Sequence, residues 1–279
     1  MKIILSRKGF DQKAGGFPSP IMPDGTLVPL PIPQRGPIKY KDIFTNSLSV
    51  GKIVEDLTNR KVKSIQGAHL DPDLSFSSYP RLPGWRPLFG PSAAAYTHHM
   101  NQGVDVGDLF LFFGWFRETE LYQGRYRYKR GAPNMHVIFG WMQLGKILNR
   151  DEPEQLPWAD YHPHAGYILY AGRSRLNLNY GDKKVSGAGA IKKYREELCL
   201  TCPGQPNRSC WQLPKWFYPR NGAPPLSHHG NMSRWTLENK YTLLRTVGIG
   251  QEFVLDADKY PKSIPWAYEL IANLNSNPK

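Results

Sequence analysis

GDLFLFFGWFR at 107–117 and HVIFGWMQLGKIL at 136–148 are the two stretches that decide how this chain folds. Both are runs of aromatic and branched aliphatic residues bounded by turn residues, the pattern of strands buried on both faces. Working outward, KIILS (2–6) reads as a first strand, and YILYA (167–171), TLLRTVG (242–248) and GQEFVLD (250–256) as later ones. Helices are expected over 49–60, near 91–101 with Pro91 in the first turn, and over 264–274. Seven prolines in the stretch from Gly15 to Pro37, the last of them Pro37 itself, impose an irregular, extended segment. The stretch from Tyr122 to Gly131 reads as a loop carrying Arg125, Arg127, Lys129 and Arg130 and no acid. No internal repeat and no linker divides the chain. The expectation is a single α+β domain over 1–279: a mixed, mostly antiparallel sheet or partial barrel, with flanking helices and long Pro/Gly-rich loops.

A chain of 279 residues, 40% apolar and with 8 Trp, 15 Tyr and 12 Phe, can bury a large core, which excludes a disordered polymer, a collagen and a coiled coil. No apolar run approaches the roughly 20 residues that cross a bilayer, and Arg7-Lys8 interrupts the N-terminus too early for a signal-peptide core. A cytoplasmic protein without a membrane partner is expected, and its three cysteines fit a reducing compartment. The 36 Lys and Arg against 23 Asp and Glu leave a net charge of +13. Such a field concentrates polyanions, so nucleic acid ranks above small neutral metabolites as the partner.

Neither GxxxxGK[ST] nor a GxGxxG between strand and helix is present, which lowers ATP and NAD chemistry. Cys199, Cys202 and Cys210 are one ligand short of a four-cysteine zinc site, and ordinary thiols are the preferred reading; no metal or other cofactor is expected. Histidines occur as His98-His99, His162-Pro163-His164 and His228-His229, and neighbouring rings point in different directions. Three carboxylate-bearing stretches stand out. The first strand runs out into Arg7, Lys8, Phe10 and Asp11 before Gly15-Gly16, where backbone amides can approach phosphate; a plain surface turn accounts for it as well. His69, Asp71 and Asp73 would share one face of an extended segment, or belong to an Asx-type turn. Glu252 and Asp256 share a strand face and read equally as structural ion pairs. Trp85, beside Arg86, and Trp115 and Trp141 belong to a tryptophan supply larger than a core needs, so some could stack on an extruded base. Asn101 and Gln102 carry amides of the kind that read base edges, although a fraying helix end explains them equally well.

Taken in order, SRKGFD…GGFPSPIMPDGTL, HLDPDLS, GWRPLFGPSAAAYTHHMNQGV, GDLFLFFGWFR, HVIFGWMQLGKI, PWADYHPH and GQEFVLD resemble the nucleotide modification associated domain of the third class, over almost the whole chain. That family is linked with phage and bacterial systems that make or attack modified DNA bases. The chain also resembles bacterial anti-phage glycosylases that remove glucosylated hydroxymethylcytosine, and its two long strands are similar to those of modified-base readers with a PUA-like barrel. The resemblance implies a DNA glycosylase that turns a modified base out of double-stranded DNA and cleaves its glycosidic bond. Asp11 is the first choice of catalytic carboxylate, followed by Asp71 and Asp73. Arg7, Lys8, Arg86, Asn101, Gln102, Arg125, Arg127, Lys129 and Arg130 are expected on the DNA. Phe10, Trp85, His98, Trp115 and Trp141 are expected around the base. A non-enzymatic reader and a metal-dependent nuclease using His69, Asp71 and Asp73 are the alternatives.

Overall fold

Leu109–Tyr122 and Met135–Leu148 pair with each other, antiparallel, with Phe113 opposite Ile138 and Leu109 opposite Gln143. The computed structural model describes residues 1–45, 47–149, 156–180, 184–220, 224–248 and 252–272. Lys2–Arg7 runs parallel to Leu109–Tyr122, Ile4 opposite Phe110, and Glu252–Asp256 closes antiparallel beside Lys2–Arg7. On the other side Leu169–Gly172 and then Leu88–Phe89 continue the sheet, both antiparallel. Each long strand changes neighbour along its length. Ser19–Ile21 and Arg125–Tyr128 take over beside the far half of Leu109–Tyr122, and Ala188–Ala190 lies against the middle of Met135–Leu148. Register shifts between Ile138 and Gly140 and between Leu144 and Lys146 bend that strand. The result is a single-domain α+β protein on a curled mixed sheet, a half-barrel, with three helices among the described residues.

The apolar runs explain the curl. Phe110, Leu111, Phe112 and Phe113 are all buried, so successive side chains fill both faces of the sheet. Burying each is worth about 1.5–3 kcal/mol relative to exposure. A second core gathers beneath the proline-rich segment, where Phe10, Leu30 and Tyr40 pack on the helix Val50–Leu57. That helix buries Val50, Ile53, Val54 and Leu57, the spacing of one helical face, and Ser49 caps it by accepting from the Lys52 amide.

Three expectations change. Tyr122–Gly131 is not a loop: Leu109–Tyr122 turns at Gln123-Gly124 into Arg125–Tyr128, a hairpin whose facing strand supplies Glu118 and Glu120 to Lys129 and Arg127. Two of its four cations are thereby paired with acids outside the stretch. The helix near 91–101 starts at Ala93, with Ser92 as its cap and Pro91 outside it. The strand expected at 167–171 is Leu169–Gly172, and that at 242–248 is Tyr241–Arg245. Positions 250–251 of the last expected strand and 273–274 of the last expected helix lie outside the described residues. Among the described residues no helix is long and apolar enough to cross a membrane.

Candidate active site

The segment from His69 to Asp73 meets the 161–164 turn inside the protein. Ala68–His69 forms a short strand with Ile32–Pro33, and the Asp71 amide then donates to the His69 carbonyl at 2.8 Å. That tight turn breaks the alternation expected of an extended segment, so Asp71 and Asp73 go to different partners. Asp71 Oδ1 accepts from the Gly90 amide at 2.8 Å. His162 Nε2 stands 3.5 Å from the same oxygen, and His164 Nε2 stands 4.0 Å from Asp71 Oδ2. The His69 and His164 rings meet edge to face, their centroids 4.9 Å apart.

Asp73 is saturated instead. Its Oδ1 accepts from Arg81 at 2.5 Å and from the Ser78 hydroxyl at 3.3 Å, and Tyr161 donates to Oδ2. Arg81 lies 4.5 Å over the Trp85 ring, and Trp85 Nε1 donates to the Tyr161 oxygen at 2.7 Å. This buried network fixes the 161–164 turn from one side. A second buried pair joins Lys8 Nζ to Glu252 Oε1 at 2.7 Å, with Glu252 Oε2 3.6 Å from His99 Nε2. The Lys8 ammonium also sits 4.4 Å from the centre of the Phe89 ring.

These neighbours set the charge of the cluster. Burial works against an Asp71 carboxylate, but the His162 ring, Lys8 and His69 outweigh it and hold its carboxyl below the usual range. Burial pulls His69 down to about 4, helped by His164, His162 and Lys8 against the attraction of Asp71. His164 is lowered for the same first reason. At neutral pH the cluster is therefore an ionised carboxylate between two uncharged imidazoles, a set able to take a proton from water, to oppose a developing cation or to hold a metal ion.

His69 and His164 line a cavity of about 810 Å³, together with Gln34, Tyr96, Asn149 and Tyr167. Asp71 and Asp73 line another of about 280 Å³, mostly apolar, with Phe44, Phe76 and Phe139 in its wall. A third hollow, between the hairpin and the Val50–Leu57 helix, carries Lys41, Lys52, Arg60, Arg125 and Arg127 against Glu55 and Asp56.

The structure gathers only part of the expected site. Asp11 lines none of these hollows: its Oδ1 accepts from the Lys13 and Ala14 amides, and Gly15 closes onto the Phe10 ring, which is buried in the second core. Lys8 is inside the protein. Arg7 is half-buried and Arg86 exposed, while Asn101 and Gln102 are exposed at the end of the Ala93–Asn101 helix. Trp115 donates to Asn134 and lies under Arg208, Trp141 donates to the Ser186 carbonyl, and His98 stacks on His228; Trp85 belongs to the Asp73 network. None of those rings lines the cavity beside His69. Arg81, Tyr161, His162 and His164 were not among the expected site residues. A signal for the last two existed, since His162 and His164, like His69 and Asp71, are two apart. Cys199, Cys202 and Cys210 are free thiols, and among the described residues they join no cluster of His, Asp or Glu.

No curated protein and no solved structure matches the chain. The family model of nucleotide modification associated domain 3 matches residues 2–256, which include every member of the buried cluster, and the chain belongs to that family.

Proposed function

We propose that the protein is a DNA glycosylase that hydrolyses the N-glycosidic bond of a modified cytosine, glucosylated hydroxymethylcytosine of phage DNA being the substrate its sequence resemblance points to. The observation that carries this reading is the Asp71 carboxylate, which is buried among His69, His162 and His164 and lines the cavity of about 280 Å³, while His69 and His164 line the one of about 810 Å³. The membership of a nucleotide-modification family and the charge of +13 agree with it.

In this mechanism a flipped nucleotide enters the cavity of about 810 Å³, stacks on Tyr96 or Tyr167 and meets the Gln34 and Asn149 amides, with its anomeric carbon towards His69 and His164 and the Asp71 carboxylate behind them. The glycosidic bond breaks as positive charge grows on the sugar, and the carboxylate opposes that charge where water is scarce. A water oxygen bonds to the anomeric carbon, a neutral imidazole of His69 or His164 takes its proton, and the base leaves with the bonding pair and is protonated. The basic hollow by the hairpin is a candidate contact for the DNA backbone.

The test is incubation with glucosylated phage DNA and with unmodified DNA, reading free base by mass spectrometry and abasic sites by alkaline cleavage. Base release from the modified DNA alone is expected. Binding without release makes the protein a reader, and nicks without alkali make it a nuclease; either result removes the glycosylase reading.

A further inference from the structure

We propose that His69, Asp71 and His164 bind one divalent first-row transition ion, with His162 positioning the carboxylate. One ligand atom from each of the three lies within 4.8 Å of the other two. A tetrahedral site with bonds of about 2.0–2.2 Å needs ligand atoms about 3.4 Å apart, so closure asks for side-chain shifts of about 1 Å. Imidazole nitrogens favour zinc-like ions over magnesium or calcium.

His162 supplies an independent reason. Its side chain is fully buried, yet Nε2 has no hydrogen-bond partner and stands 3.5 Å from Asp71 Oδ1. Its Nδ1 accepts from the His164 amide at 3.2 Å, so in the neutral ring the proton is on Nε2, the nitrogen 3.5 Å from the carboxylate. An outer-shell N–H aimed at a ligating carboxylate is a regular part of metal sites. Gly90 completes the seat: its amide donates to Asp71 Oδ1, and its missing side chain leaves room for the His164 ring. Because His69 and His164 line the cavity of about 810 Å³, the ion would keep a position open to water.

An ion there changes who activates the water. It lowers the pKa of a bound water towards neutrality, the resulting hydroxide bonds to the anomeric carbon, and the base departs with the bonding pair and takes up a proton from solvent. This chemistry rests on the glycosylase reading; the ion site itself does not.

The test uses the full chain, stripped with a chelator and titrated calorimetrically with Zn²⁺. One equivalent is expected to bind, weakened at least about a hundredfold in His69→Ala and in His164→Ala, and unchanged in His98→Ala. Failure of the wild-type chain to bind a stoichiometric ion, or wild-type affinity in both His69→Ala and His164→Ala, overturns the site. Should either variant misfold, Co²⁺ added to the wild-type chain decides: visible bands of nitrogen- and oxygen-ligated Co²⁺ support the site, and the spectrum of the hydrated ion overturns it. Base release by metal-free protein refutes the ion's role in the reaction and leaves the glycosylase; Zn²⁺ binding without base release from modified DNA does the reverse.

Discussion

Gly90 lies so close to His164 that a β-carbon built on it would come within 2.3 Å of the ring, while its amide holds Asp71 Oδ1 at 2.8 Å. One glycine therefore seats two members of the cluster. Gly90→Ala is expected to push His164 aside at a cost of about 1–3 kcal/mol, the usual range for overpacking. Base release should fall much further than the melting temperature, and wild-type turnover in the folded variant would show that the seat of His164 does not matter.

Asp71→Asn removes the negative charge and keeps the shape. Release of modified base is expected to drop by about a hundred- to a thousandfold, the scale of losing a stabilising group in a dry site, with DNA affinity within about twofold. Asp11→Asn, altering a carboxylate that caps its own turn, should leave turnover near wild type. Loss of turnover in Asp11→Asn alone would return the chemistry to that carboxylate.

Lys8 and Glu252 form an ion pair whose side chains are 10% and 3% exposed. Removing one partner strands the other, so Lys8→Met or Glu252→Gln should each destabilise by about 3–5 kcal/mol. The double variant Lys8→Met/Glu252→Gln should recover part of that, and denaturant unfolding of the four proteins gives the coupling directly.

On the hairpin, Arg127 and Lys129 are paired with Glu120 and Glu118, whereas Arg125 and Arg130 are exposed and form no ion pair among the described residues. Neutralising Arg125 and Arg130 should reduce the slope of log affinity for DNA against log salt by about 2, one for each phosphate that these cations no longer neutralise. Neutralising Arg127 and Lys129 together with their acids should change it less. Equal slopes for all the variants would take DNA off this hairpin.

His229 is fully buried with both ring nitrogens committed, Nδ1–H donating to the Ser227 carbonyl and Nε2 accepting from the Val247 amide. Burial therefore pulls its pKa down to about 4, below the ordinary 6.5. The unfolded chain binds that proton first, so the contribution of His229 to stability is complete above about pH 6.5 and is lost as the pH falls towards about 4. Ring resonances of His229 should stay those of the neutral form down to about pH 4. A midpoint near 6.5 would contradict its burial.

The long strands, the helix over Val50–Leu57 and the basic surplus were legible because each depends on local pattern: apolar runs that fill two faces, apolar spacing of one helical face, and a charge sum. The pairing of Lys129 and Arg127 was not, since the acids that answer them lie on the facing strand. Asp71 and Asp73 were visible as candidates, but their division was invisible, because one turn bond from Asp71 to His69 sends one carboxylate to histidines and the other to Arg81. Sequence alone determined the half-barrel's principal strands and the polyanion-attracting charge, since both follow from residue type and near-neighbour order. Tertiary structure decided which carboxylate is buried beside uncharged imidazoles, because that contact joins positions about 90 residues apart and depends on Gly90 leaving space for a ring.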